Sequence, residues 1–364
     1  MRKIKIAILI LFLVLTSTSL FSQNTDSSRE KNTLLLMHPT VGTISTITSL
    51  IESGIFPLEN YNLKGVYFAE ENYDYSTSEK YIRENDLSIV LEKADLSLEP
   101  DHLYENNPCS PVFEKLFNES SGIIFFGGPD IPPSIYGEKT STLTDIYDPY
   151  RHYFEASFLF HLLGGFQDEK FVPLLEENPE YMVVGFCLGM QTMNVATGGT
   201  LIQDIPLEVY KKQYVEDILS QPSTSLHRNY SNNIPDTANL FWGNIHPIKI
   251  LDKSWIVKHG LAKADQLPGV VSSHHQAAEK TGLNLKVAAS STDGKIIEAL
   301  EHVKYPNVIG FQFHPEVPDI YHFDNSYKST SSGAHFSLRT AIEKANGYEF
   351  HLAIWKKFAE ILEK

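Results

Sequence analysis

The stretch VVGFCLGMQTMNVATGG, residues 183–199, constrains this chain more than any other. A short continuous apolar run stops at a cysteine held between Gly185 and Gly189, and an amphipathic segment starts at once. A strand that ends just before a helix begins must turn sharply, and the residue at the tip is held in a strained conformation with its side chain exposed. Glycines two before and two after the tip relieve the crowding. Cys187 is then expected at a helix N-terminus, where backbone N–H groups and the helix dipole favour a thiolate. The Leu188 N–H is a natural oxyanion donor. The competing reading is a buried thiol in a glycine-rich turn, and the rest of the chain has to decide.

The flanking segments alternate in type. TLLLM (33–37), NLKGVYFAE (62–70), GIIFF (122–126) and EYMVVGF (180–186) read as strands. Between them, HPTVGTISTITSLIESG and YRHYFEASFLFHLLGG carry apolar residues at helical spacing and end on glycine. Short apolar strands alternating with helices predict an α/β fold with a mainly parallel central sheet covered on both faces. HPIKIL, GVVSSHH, NLKVAASS, KIIEALEH and NVIGFQF then predict a β-rich second half, closed by the amphipathic helix EFHLAIWKKFAEILEK. Residues 207–240 are polar and weakly periodic and read as an insertion, as do 319–345, so residues 33–364 are expected to form a single domain with two insertions.

The first residues need a separate account. MRKIK followed by the ten-residue apolar run IAILILFLVL and TSTSLFSQ has the layout of a secretory signal peptide over residues 1–22, with a polar linker over 23–32. The run is too short for a membrane span. The chain is therefore expected to be exported, periplasmic or secreted, with no stable membrane association once the signal is cleaved. The formal net charge is −15, and losing the three cations of the leader makes the remainder still more acidic. That balance disfavours nucleic acid and anionic membranes as partners.

A nucleophilic thiol needs a base. VIGFQFHPEVP brings a strand to its end at His314, with Glu316 two residues on. A carboxylate so placed can orient the imidazole and stabilise its charged form. In FFGGPDIPPSIYGE, Gly127 and Gly128 follow a strand and permit close backbone approach, and the Gly128 N–H is a candidate second oxyanion donor. The order GGPD, GFCLGMQ, GFQFHPE resembles that of the class I glutamine amidotransferase-like hydrolases. PPSIYGE, RHYFE, SSHHQAA and DGKIIEALE narrow the resemblance to the gamma-glutamyl-gamma-aminobutyrate hydrolase family.

That resemblance implies a flavodoxin-like amidotransferase fold and a Cys187–His314–Glu316 triad, with Gly128 and Leu188 as the oxyanion hole. It implies that Gln191, His275 and Arg151 lie at the substrate, a small γ-glutamyl compound, and that no cofactor or metal is required. The chain departs from the family in carrying Leu188 where many members have Arg, and His152 where Asp is usual. Three other readings stay open. One is a non-catalytic binder of γ-glutamyl ligands, and another is a glutaminase subunit of an amidotransferase. The third is a metal held by His274, His275 and His314 with Glu316 or Asp130, although adjacent strand residues point to opposite faces. The two cysteines, Cys109 and Cys187, could also pair as a disulfide, which would disable the nucleophile.

Overall fold

The computed structural model describes residues 32–234 and 240–364. The expected leader and all but the last residue of the linker lie outside that range. The strands are β1 (Thr33–Met37), β2 (Asn62–Phe68), β3 (Ile89–Ala94), β4 (Gly122–Phe125), β5 (Met182–Phe186), β6 (Leu201–Ile202), β7 (Asn244–Ile250), β8 (Gly269–Ser272), β9 (Ala277–Ala278), β10 (Leu285–Ser291), β11 (Ile297–His302) and β12 (Val308–Phe311). The helices are α1 (Val41–Glu52), α2 (Ser76–Glu84), α3 (Ser110–Asn118), α4 (Pro149–Leu163), α5 (Leu188–Ala196), α6 (Val215–Leu219), α7 (Trp255–Lys258), α8 (Leu338–Lys344) and α9 (Tyr348–Leu362).

The large sheet runs β3-β2-β1-β4-β5-β12-β11-β10-β7-β8. Its first six strands are parallel and the remaining four join antiparallel. This is the α/β architecture expected, with the β-rich second half continuing the same sheet. Alternation along β1 shows why its apolar run is unbroken. Leu34 and Leu36 pack into one core and Leu35 and Met37 into the other, all fully buried. Each such side chain contributes roughly 1.5–3 kcal/mol of burial. β3 has no counterpart in the sequence reading. It is the edge strand, with Val90 65% exposed, so it lacks the apolar run that marks the interior strands.

Helix ends follow local chemistry. The Thr40 hydroxyl accepts from the Thr43 N–H to open α1. Asp148 caps α4 ahead of Pro149, and Gly164, at φ 72°, ends that helix. The two segments read as insertions touch one another: Asn229 Nδ2 donates to Ser329 O at 2.9 Å, and just past the first segment the Phe241 N–H donates to Lys328 O at 2.8 Å. Among the described residues no helix is long and apolar enough to cross a membrane.

Candidate active site

Cys187 sits between β5 and α5 at φ 50°, ψ −105°, a conformation that L residues other than glycine rarely adopt. The glycines around it are required by contact. A Cβ on Gly185 would lie 2.5 Å from the Gly189 carbonyl carbon, and one on Gly189 would lie 2.3 Å from the Phe125 oxygen. The turn is pinned by the Cys187 N–H donating to Phe311 O at 2.8 Å, across to the neighbouring strand β12. The side chain is less open than expected. Cys187 is 5% exposed and faces only a cavity of about 240 Å³.

β12 pairs in parallel with β5, Gly310 beside Gly185 and Phe311 beside Phe186, so its exit delivers His314 to the Cys187 turn. His314 Nδ1 lies 2.7 Å from Glu316 Oε1. Burial opposes charging of the ring, but the Glu316 carboxylate and the Cys187 sulfur overcome it and hold the imidazole well above its usual range. The turn that carries this pair is fixed from behind. Pro315 O accepts from Tyr321 Oη at 2.7 Å and from Trp355 Nε1 at 3.0 Å. The Trp242 ring stands edge-on to His314 at 5.7 Å.

Gly127 and Gly128 close the other side. A Cβ on Gly127 would come 2.9 Å from His314 Cε1 and 3.6 Å from Cys187 Cβ. A Cβ on Gly128 would come 2.7 Å from Leu188 Cδ2. The two residues expected to supply the oxyanion hole are therefore neighbours. The Leu188 amide is in the first turn of α5, where a helix leaves its N–H groups without intrahelical partners.

The cavity is lined by Cys187, Gly128, Gln191 and His275, with Asp130, Asp145 and Arg228 adding charge. Gln191 Nε2 donates to Gln276 O at 3.1 Å and to Gln312 Oε1 at 3.3 Å, which fixes the amide. His275 is gripped at both ends. Its Nδ1 lies 3.2 Å from Asp204 and its Nε2 lies 3.1 Å from Asp130. Burial lowers its pKa, but the two carboxylates more than reverse this and raise it to about 9. The ring is thus a fixed cation with both nitrogens engaged.

Arg151 is placed differently from the expectation. It is 2% exposed on α4 and does not line this cavity. Its Nε pairs with Glu155 at 2.9 Å, and its Nη2 donates to the carbonyls of Phe126 and Gly127 at 3.0 and 3.2 Å. It braces the backbone that leads to Gly128. Arg228, by contrast, escaped the sequence reading. It comes from an aperiodic polar segment, and only the tertiary return of that segment brings it to Cys187.

Both cysteines are free, so the disulfide reading does not hold. Cys109 is fully buried among Phe113, Leu116 and other core side chains, and burial pushes its thiol up to about 11. The three histidines weighed as metal ligands are not gathered in one site. His275 lies between aspartates and His314 on Glu316, while His274 turns into a different buried cluster with His227, His246 and Glu298.

An α/β sheet with this thiol at a strand-to-helix turn is the arrangement of a class I glutamine amidotransferase-like domain. The chain belongs to the Peptidase C26 family, whose profile matches residues 106–316. A glutamine amidotransferase-like protein of Rickettsia prowazekii is 30% identical over 260 residues, covering 66% of this chain and 82% of that one. A similar protein of Lactococcus lactis is 29% identical over 203 residues, 56% of this chain and 69% of its own. The gamma-glutamyl-gamma-aminobutyrate hydrolase of Escherichia coli K12 is 24% identical over 206 residues, 56% of this chain and 67% of its own. Together these make the chain a glutamine amidotransferase-like hydrolase.

Proposed function

We propose that this hydrolase cleaves the γ-glutamyl amide bond of a small γ-glutamyl compound through a thioester on Cys187. The observation that carries the reading is the approach of the His314–Glu316 pair and the Gly127–Gly128 backbone to Cys187, which lines a cavity with fixed charges. The thiolate attacks the γ-carbonyl. The Gly128 and Leu188 amides receive the tetrahedral oxyanion, and loss of one such donor typically costs about 10²–10³ in rate. His314 protonates the leaving amine. It then takes a proton from the water that attacks the thioester, each transfer contributing about 10²–10⁴. Free glutamate leaves and the thiol is restored.

The cavity chemistry supports a glutamyl half. Arg228 receives the α-carboxylate, Asp130 or Asp145 faces the α-ammonium, and Gln191 packs beside the side chain. The leaving group extends past Arg228 into a larger groove of about 410 Å³, which Arg228 also lines together with Phe241, Asn244 and Phe336. No residue of 51–112 lines either space.

The test is glutamate release from a panel of γ-glutamyl amides by wild type and Cys187→Ala under reducing conditions. Release by wild type alone is expected. Equal release by both proteins, or none from any amide by the folded wild type, overturns the reading.

A further inference from the structure

Beside the cavity lie four side chains that the proposed chemistry does not use, one of which, His274, also lines it. His227, His246, His274 and Glu298 are 1%, 0%, 4% and 0% exposed. One nitrogen or oxygen from each lies within 4.8 Å of all the others. His227 Nδ1 is 3.1 Å from Glu298 Oε1, and His246 Nε2 is 3.9 Å from the same oxygen. The rings of His227 and His246 are 4.7 Å apart, and those of His227 and His274 are 5.0 Å apart.

Their hydrogen bonding is incomplete. Both nitrogens of His227, Nε2 of His274 and both oxygens of Glu298 are buried without a hydrogen-bond partner. Burying such a group unpaired is unfavourable, and native interiors hold few of them. Here five such atoms belong to three side chains of one cluster. At His274 the other nitrogen is satisfied: Nδ1 donates to Gln276 O at 2.8 Å, which leaves the Nε2 lone pair free to face the cluster. An imidazole N–H held by a carbonyl, with its other nitrogen turned inward, is how proteins orient a metal-ligating histidine. His246 Nε2, the nitrogen nearest Glu298, also lies 2.9 Å from Ser272 Oγ, so that hydroxyl gives up this contact when the nitrogen takes an ion.

We propose that His227, His246, His274 and Glu298 form a closed binding site for a divalent transition-metal ion of the zinc type. Three imidazoles and one carboxylate are borderline donors that suit zinc, and four protein ligands leave no position for water, which is the pattern of a structural site. Zinc–nitrogen bonds of about 2.0–2.1 Å require the ligand atoms to draw in by about an ångström, a movement within reach of side-chain rotation. The ligands come from four places: the segment before Asn229, β7, the chain after β8, and β11. The His274 N–H already donates to His227 O at 3.0 Å. Two ligands have cavity residues as their next neighbours, His227 beside Arg228 and His274 beside His275. The ion therefore fastens two charged walls of the cavity to the sheet while taking no part in bond cleavage.

The experiment uses the full chain, untagged and expressed with zinc. About one equivalent of zinc per chain is expected by elemental analysis. A strong chelator should lower the melting temperature and added zinc should restore it. Cys187→Ala should keep the metal, while His227→Ala and Glu298→Ala should lose it. Because those two variants can fail to fold, cobalt(II) exchange into wild type gives a second readout. The expected spectrum has the visible bands of a four-coordinate nitrogen–oxygen site and no thiolate-to-cobalt charge-transfer band. Zinc at background with no thermal response overturns the proposal and leaves the cluster a hydrogen-bonded polar network. A charge-transfer band, or loss of zinc in Cys187→Ala, overturns it by moving the ion to the nucleophile. Metal content is read without any γ-glutamyl substrate, so this outcome is independent of the proposed activity.

Discussion

Arg151 on α4 donates through Nη2 to the carbonyl of Gly127, at 3.2 Å, and so holds the backbone that presents Gly128 to the Cys187 turn. The same guanidinium is anchored by Glu155 in an ion pair whose side chains are 3% and 1% exposed. Lysine keeps the charge but lacks the planar fork that serves Glu155 and two carbonyls together. Arg151→Lys is expected to lower kcat by about 10- to 100-fold through misplacement of the oxyanion donor, with KM changed only slightly. Steady-state kinetics on a γ-glutamyl amide, with the melting temperature followed in parallel, checks this. An unchanged kcat would remove Arg151 from any positioning role.

On the proposed mechanism Glu316 sets the working range in pH. The carboxylate is a main reason His314 keeps its proton above the ordinary imidazole range. Glu316→Gln removes that support, so His314 loses its proton at lower pH and the alkaline limb of the kcat/KM profile moves down. The reduced profile is measured from acid to alkali on both proteins. A limb that stays in place means that Glu316 does not govern the imidazole.

Two glycine substitutions separate crowding from backbone strain. Gly54 has φ 70° and nothing within 4 Å of an added Cβ, so Gly54→Ala meets only the left-handed penalty of about 1–2 kcal/mol. Gly189→Ala would drive a Cβ to 2.3 Å from Phe125 O, a backbone atom that cannot step aside. It should cost about 3 kcal/mol or more and displace the nucleophile. Urea unfolding of the two variants should rank them in that order.

Arg228 offers a sharper test of substrate recognition than any motif residue. If it receives the α-carboxylate, Arg228→Gln should raise KM by about 10- to 100-fold, the loss of a charge-assisted pair worth roughly 1.5–3 kcal/mol. A γ-glutamyl amide whose α-carboxylate is itself amidated should then discriminate little between wild type and variant. Equal losses on both substrates would assign Arg228 to packing.

The legible parts of this site are those in which chemistry and local geometry share a few residues. Gly185, Cys187 and Gly189 announce the turn because the backbone there admits nothing larger. His314 and Glu316 are two residues apart, so their pairing is local. Interior strands such as β1 and β5 show as apolar runs because both faces are covered, whereas β3 on the edge alternates too weakly to be seen. Arg228 and the His227–Glu298 cluster depend on where distant segments return, which no periodicity encodes. Arg151 misleads for a related reason. Its neighbourhood in sequence marks the site, but its side chain works on the backbone behind it.

The pairing of β5 with β12 places Cys187 and His314 at the ends of adjacent strands that are far apart along the chain. During synthesis the segment bearing Cys187 leaves the ribosome well before the one bearing His314. The Cys187 thiol therefore has no imidazole beside it until nearly the whole polypeptide exists and its last parallel strand has docked. On the proposed mechanism half-made and truncated molecules are hydrolytically silent, and the appearance of activity reports completion of the central sheet.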